Sequence, residues 1–113
     1  MQVRIRPQYA GIRLKCLAHD PWPVSVAGNL PELGGWDPDS ALPMRLKVDK
    51  EGRHEWWATI VCLRGQPFEF KFVAKADGAP LWEAGANRVC LPNDQSLEVA
   101  GEFRKCSRVR CGT

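Results

Sequence analysis

Three tryptophans stand where a flat ring could meet a ligand instead of packing in a core. Trp36 follows two glycines, Trp56 follows His54 and Glu55, and Trp82 precedes another glutamate. A small soluble domain usually buries such rings, because each carries roughly 150–250 Å² of surface. A sugar has apolar ring faces and hydroxyl edges. It therefore matches rings that have carboxylate, amide and ammonium groups nearby.

Lys71 and Asn87 carry donors and acceptors of the kind that hydroxyl recognition needs. Residues 68–72 read Phe-Glu-Phe-Lys-Phe, and side chains of a strand alternate between its two faces. Three phenylalanines then share the core face, and Lys71 points away from it. The alternatives are a solvated strand residue for Lys71 and core packing for Trp36 and Trp82.

The elements that must position these residues are short strands. Apolar and polar residues alternate with a period of two almost throughout, and 10 glycines and 9 prolines punctuate the chain with turns. We predict an all-β fold, an immunoglobulin-like antiparallel β-sandwich of seven to eight strands with no helix. The predicted strands cover residues 12–17, 24–27, 44–48, 55–63, 68–72, 81–83, 88–91 and 96–103. We predict one domain over residues 1–103 and a basic tail or linker over residues 104–113.

Composition and charge argue against several classes of protein. The net charge of +3 is small and its excess lies in the last ten residues, so we expect no nucleic-acid partner. No apolar run approaches the ~18 residues of a membrane span, so we expect no membrane partner. The first residues lack the apolar stretch of a signal peptide, which favours an intracellular, cytoplasmic or plastid-like location.

The cysteines and histidines do not predict a metal site. Five cysteines cannot all pair within one chain, and we expect Cys16, Cys62 and Cys90 to be reduced core residues. Neither His19 nor His54 lies at metal-ligand spacing from a cysteine pair. We therefore predict no metal and no cofactor.

Three segments together resemble a known family. Residues 28–38, residues 68–73, and Trp82-Glu83 followed by Asn87-Arg88 are similar, in order and spacing, to the signatures of the starch-binding domains, carbohydrate-binding module family twenty. The resemblance covers about residues 12–103. It implies a non-catalytic β-sandwich that binds α-glucans, commonly at two sites.

The resemblance also implies which residues form the first site. Trp36 and Trp82 match the family's two-tryptophan platform for adjacent glucose units. Lys71 and Asn87 match the lysine and asparagine that hydrogen-bond sugar hydroxyls. Glu83 lies beside the platform and is expected to contribute mainly through its backbone.

The match to the family's second site is partial. Trp56 corresponds to the second-site tryptophan, but the tyrosines that usually accompany it are missing, and Trp22 is the candidate substitute. The competing interpretation is that Trp56 or Trp57 packs against the sandwich.

The predicted function is non-catalytic binding of α-1,4-glucans: starch, glycogen, maltooligosaccharides or cyclodextrin. The acids lie in loops and turns rather than as a carboxylate pair in a cleft, which disfavours hydrolysis. We expect a monomeric module at the N-terminus of a larger enzyme or regulator, which it targets to polysaccharide. The alternatives are an immunoglobulin-like protein-interaction module and the single-site glycogen-binding module of a kinase regulatory subunit.

Overall fold

A computed structural model describes residues 8–94 and 96–104, which form two sheets packed face to face. Within these residues there are nine strands: β1 (Tyr9–Ala18), β2 (Val24–Gly28), β3 (Leu42–Pro43), β4 (Arg45–Val48), β5 (His54–Leu63), β6 (Phe68–Ala76), β7 (Ala79–Trp82), β8 (Arg88–Cys90) and β9 (Ser96–Glu102). The four-stranded sheet has the order β4-β5-β1-β9. The five-stranded sheet has the order β3-β2-β6-β7, with β8 also paired to β6. The predicted all-β sandwich is confirmed.

Two details differ from the prediction. Strands β1 and β9 pair in parallel, whereas every other pair is antiparallel. The chain crosses from β8 in one sheet to β9 in the other. No tight hairpin joins β9 to β1, so nothing requires these two neighbours to be antiparallel. The two-residue β3 also brings the strand number above the predicted eight, since so short a segment carries no alternation.

The prediction of no helix is wrong for residues 31–36. The segment Pro31–Trp36 forms a 3-10 helix with Pro31 in its first turn, where the missing N–H costs nothing. It is kinked at Gly34 and Gly35, whose φ angles are 78° and 58°. A Cβ at Gly34 would stand 2.4 Å from the carbonyl oxygen of Ser40. Glycine is therefore required by both the backbone angle and the close approach.

The core lies between the sheets and is built from the inward residues of the central strands. The phenylalanines of β6 are at most 1% exposed, as their alternation predicts. Phe70 packs between the other two, with its ring centroid 5.8 Å from that of Phe68 in a tilted pair and 5.7 Å from that of Phe72 in an edge-to-face pair. Lys71 and Glu69 point to the outer face of the five-stranded sheet, where the candidate site lies.

The ends of the chain leave part of the domain prediction open. Arg104 closes the described region, and its carbonyl accepts a hydrogen bond of 2.7 Å from the Ala84 N–H. The predicted tail beyond it lies outside the described residues, so the 103/104 boundary stays a prediction. Among residues 8–94 and 96–104, no helix has the length and apolar character needed to cross a membrane.

Candidate functional site

Trp36 and Trp82 form a tilted pair on the outer face of the five-stranded sheet. Their ring centroids are 6.5 Å apart and their planes are inclined by 49°. Both rings are half-buried against a small cluster of Ala27, Ala41 and Val73, which is separate from the main core. The rings are thus supported from below while part of each stays exposed. We call this pair the platform.

Trp36 reaches the platform through an unusual backbone. Its φ is 71°, directly after the positive φ angles of Gly34 and Gly35. A left-handed conformation costs a non-glycine residue roughly 1–2 kcal/mol, so the surrounding structure must hold it. The Asp37 N–H donates to the Gly34 carbonyl at 3.1 Å and closes the turn that contains Trp36. The Asp37 carboxylate fixes the next turn, because it accepts hydrogen bonds from the Asp39 N–H at 3.0 Å and the Ser40 hydroxyl at 3.2 Å.

Trp82 is placed by strand pairing. It ends β7 and lies opposite Val73 of β6, whose side chain belongs to the outer cluster. The same alternation along β6 puts Lys71 on the face that carries the platform. Lys71 also lies opposite Ala27 of β2, another member of the cluster. The structure therefore places Lys71 on the same sheet face as the two rings, two residues along β6 from Val73.

The two polar residues predicted for the site are held by neighbouring groups. The Lys71 ammonium donates to the Gly85 carbonyl at 2.7 Å, and an ammonium has three donors. The Asn87 side-chain amide donates to the Glu69 carboxylate at 3.0 Å. Trp36, Trp82, Lys71 and Asn87 thus share one surface, with the polar side chains already oriented.

Glu83 faces the interior rather than the surface. The residue is 4% exposed. Its carboxylate accepts the Phe72 N–H at 2.7 Å, and its own N–H donates to the Phe72 carbonyl at 3.0 Å. Glu83 therefore satisfies both the N–H and the carbonyl of Phe72 in β6, directly after β7 ends at Trp82. Its carboxylate and its amide are both engaged within the domain.

Arg88 is a supporting residue that sequence reasoning did not single out. Its guanidinium pairs with the Glu83 carboxylate at 2.8 Å, donates to the Glu102 carbonyl at 3.1 Å and lies 5.0 Å from the centre of the Phe72 ring. A Cβ at Gly101 would stand 2.5 Å from the guanidinium. The available signal was Arg88 following Asn87 in the third matched segment.

The two residues of the predicted second site, unlike the platform tryptophans, contact the main core. Trp56 is 7% exposed and belongs to the main core, and Trp22 is half-buried against the same core. The Trp56 Nε1 is buried and has no hydrogen-bond partner within the described residues. This placement favours the competing interpretation that Trp56 packs within the sandwich.

Trp57 lies on the outer face of the four-stranded sheet. The Arg13 guanidinium is 4.5 Å, and the Lys15 ammonium 5.1 Å, from the centre of its ring. These cation–π contacts help to hold the ring against the sheet. Trp57 is thus remote from the platform, on the opposite side of the sandwich.

The described cysteines are buried thiols. Cys16, Cys62 and Cys90 are free, and burial raises the pKa of each, that of Cys16 to about 12. Such neutral thiols behave as small hydrophobic side chains. Cys106 and Cys111 lie outside the described residues. Within the described ranges, no three His, Cys, Asp or Glu side chains are grouped so as to hold a metal ion.

The fold and the sequence of this domain both match known proteins. The two-sheet fold recurs in a solved γ-cyclomaltodextrin glucanotransferase (CGTase) from the alkalophilic Bacillus clarkii, with a TM-score of 0.72 and 27% identity over 88% of this chain and 16% of that one. The model of the starch binding domain family, CBM_20, matches residues 12–100. The chain belongs to this family of non-catalytic binding modules.

Curated relatives agree with this assignment. The chain is 35% identical over 83 residues to Glucoamylase-1 of Arthroderma benhamiae, covering 73% of this chain and 13% of that protein. It is 39% identical over 83 residues to an alpha-amylase of Streptomyces violaceus, covering 72% of this chain and 14% of that protein. The chain thus spans less than a fifth of the length of each relative.

Proposed function

We propose that the platform binds α-1,4-linked glucan, one sugar face on each tryptophan ring. The observation that carries the proposal is the pair of rings 6.5 Å apart and inclined by 49°. Successive glucose units of an α-1,4-glucan turn relative to each other, so an inclined pair of rings fits two adjacent faces. Burial of those apolar faces contributes about 25 cal/mol per Å².

The polar residues around the platform supply the hydroxyl recognition. We propose that Lys71 and Asn87 hydrogen-bond the sugar edges, while Glu83 acts from below by holding the end of β7. Lys71 and Asn87 are each held by one contact, at 2.7 Å and 3.0 Å. Groups that are already oriented lose less conformational entropy when the ligand binds.

The role that follows is targeting. Each relative is several times longer than the matched module, and their names are those of a glucoamylase and an amylase. We propose that this chain concentrates an attached domain on starch, glycogen or maltooligosaccharides, which is an effective-concentration effect. The platform lies within one chain, which supports a monomeric module. The free cysteines support a reducing, intracellular compartment.

The proposal is tested by calorimetric titration with β-cyclodextrin. Trp36→Ala and Trp82→Ala should each abolish most binding while urea unfolding shows an intact domain. Trp57→Ala is the matched control, since it removes a half-buried tryptophan from the opposite sheet and should bind normally. Cyclodextrin binding that survives both platform substitutions unchanged would refute the proposal.

The same titration examines the second site. Because Trp56 is buried, we expect one cyclodextrin per chain. A second equivalent that remains in Trp82→Ala and disappears in Trp22→Ala would instead establish the Trp22 site.

A further inference from the structure

A groove of about 430 Å³ opens between the start of the 3-10 helix and the second half of β5. It lies beside the part of β5 that β4 does not cover, since β4 pairs with β5 only over residues 54–57. Its volume falls in the range of about 300–1,000 Å³ that is usual for small-ligand sites. None of the platform residues lines it.

One wall of the groove is apolar and exposed. Tyr9, Val61 and Leu63 line it and are 37%, 48% and 46% exposed. Tyr9 and Leu63 are direct partners across β1 and β5, so their side chains lie side by side. Adjacent exposed apolar side chains in a concave surface point to a ligand.

Polar residues line the groove as well. Asn29, Glu32 and Gln66 supply amide and carboxylate groups, among further apolar residues such as Leu30 and Pro31. A groove lined by aromatic, aliphatic, amide and carboxylate side chains matches a sugar chain, which has apolar faces and hydroxyl edges. It fits a purely apolar ligand poorly.

A row of polar contacts connects the groove to the platform. Asn87, beside the platform, donates to the Glu69 carboxylate at 3.0 Å. The Glu69 N–H donates to the Asn29 side chain at 3.0 Å, and the Asn29 N–H donates to the Glu69 carbonyl at 3.1 Å. Asn29 is itself a wall residue of the groove. The four residue steps from Lys71 to Pro67, which lines the groove, span about 13 Å at the usual rise of a strand.

We propose that a linear α-glucan held on the platform continues over Glu69 and Asn29 and turns around the edge of the sandwich into this groove, whose residues Val61 and Leu63 share the outer face of the four-stranded sheet with Trp57. This inference rests on the proposed function, because the platform supplies the first contact. The groove then makes the domain prefer long chains to short ones. A peptide added to the free edge of β5 would be the competing occupant, but it would leave the polar row from the platform unexplained.

The experiment compares two ligands on each variant. β-Cyclodextrin is a closed ring that binds the platform without extending into the groove, and linear maltodecaose reaches both places. In Tyr9→Ala/Leu63→Ala we expect the affinity for maltodecaose to fall about tenfold while that for cyclodextrin is unchanged. Gln66→Ala, in an exposed turn, should show a smaller loss of the same kind.

Leu46→Ala is the matched control, because Leu46 is 48% exposed but lies on β4, away from the groove. It should bind both ligands as the wild type does. A long chain can bind the platform in several registers, so its affinity for the wild type does not by itself report the groove. The deciding quantity is the ratio of the maltodecaose affinity of the variant to that of the wild type. An unchanged ratio in the double variant and in Gln66→Ala would overturn the groove proposal alone. Absence of cyclodextrin binding by the wild type would overturn the platform instead.

Discussion

Removing the Glu83 carboxylate should destabilise the domain from beneath the platform. Glu83 is the buried charged residue of the described region. Its carboxylate joins the Phe72 N–H of β6 to the Arg88 guanidinium of β8. The change to make is Glu83→Ala, which deletes the acceptor and leaves both donors in place.

The expected loss follows from the groups left behind. A buried N–H without a partner costs about 1–3 kcal/mol, here at Phe72. Breaking a buried ion pair costs about 3–5 kcal/mol. The Arg88 side chain is 30% exposed and keeps its bond to the Glu102 carbonyl, so it can partly regain water. We therefore expect a loss at the lower end of the range for a broken ion pair, a fall of about 3 kcal/mol in the free energy of unfolding.

The assay is urea unfolding followed by tryptophan fluorescence, with the stability taken from linear extrapolation. Glu83→Gln should lose less than Glu83→Ala, because the amide oxygen can still accept the Phe72 N–H. Glu51→Ala is the matched control. Glu51 also pairs with an arginine, Arg53 at 3.4 Å, but on the exposed surface, and its loss should not be measurable. If Glu83→Ala proves no more damaging than Glu51→Ala, the buried pair does not hold this part of the fold.

Three further predictions concern the platform loop and the core. Gly34→Ala should weaken cyclodextrin binding and lower the urea midpoint more than Gly35→Ala does. Both glycines have positive φ, but of the two only a Cβ at Gly34 would meet backbone atoms, those of Ser40. Equal effects of the two substitutions would contradict this prediction. Phe70→Ala should lower the unfolding free energy by about 3–5 kcal/mol in the same urea assay, and a surface-like loss would refute its core position. For Cys16, burial raises the pKa of the thiol from 9.0 to about 12, so the unfolded chain loses this proton first. Between pH 9 and 12 stability should fall by up to about 1.4 kcal/mol per pH unit from this thiol. Urea titrations across that range should show a shallower fall in Cys16→Ala, and identical slopes would exclude the effect.

Local pattern predicted the strands well and their arrangement poorly. The alternation of residues 68–72 identified the inward phenylalanines and the outward Lys71, because a side chain's face depends only on its position along the strand. The parallel pairing of β1 with β9 left no such mark. The direction of a neighbouring strand depends on the path of the chain between sheets, which periodicity does not record.

The candidate site shows the same division. The segment containing Gly34, Gly35 and Trp36 was recognisable as part of a glucan-binding signature, but its 3-10 conformation was not predicted. Trp56 matched a family position, yet the ring is buried in the main core. Burial of one ring depends on what the opposite sheet and the loops place over it, and these are distant in sequence.

The sequence by itself determined the all-β class, the inward face of residues 68–72 and membership of the starch-binding family, since these follow from local pattern and motif order. Only the tertiary structure decided that Trp36 and Trp82 meet at 49°, that Glu83 turns inward to Arg88, and that a groove opens beside β5. The physical reason is that each of these features depends on contacts between residues brought together by folding. Their distances follow from the packing of whole sheets, which no short stretch of the chain encodes.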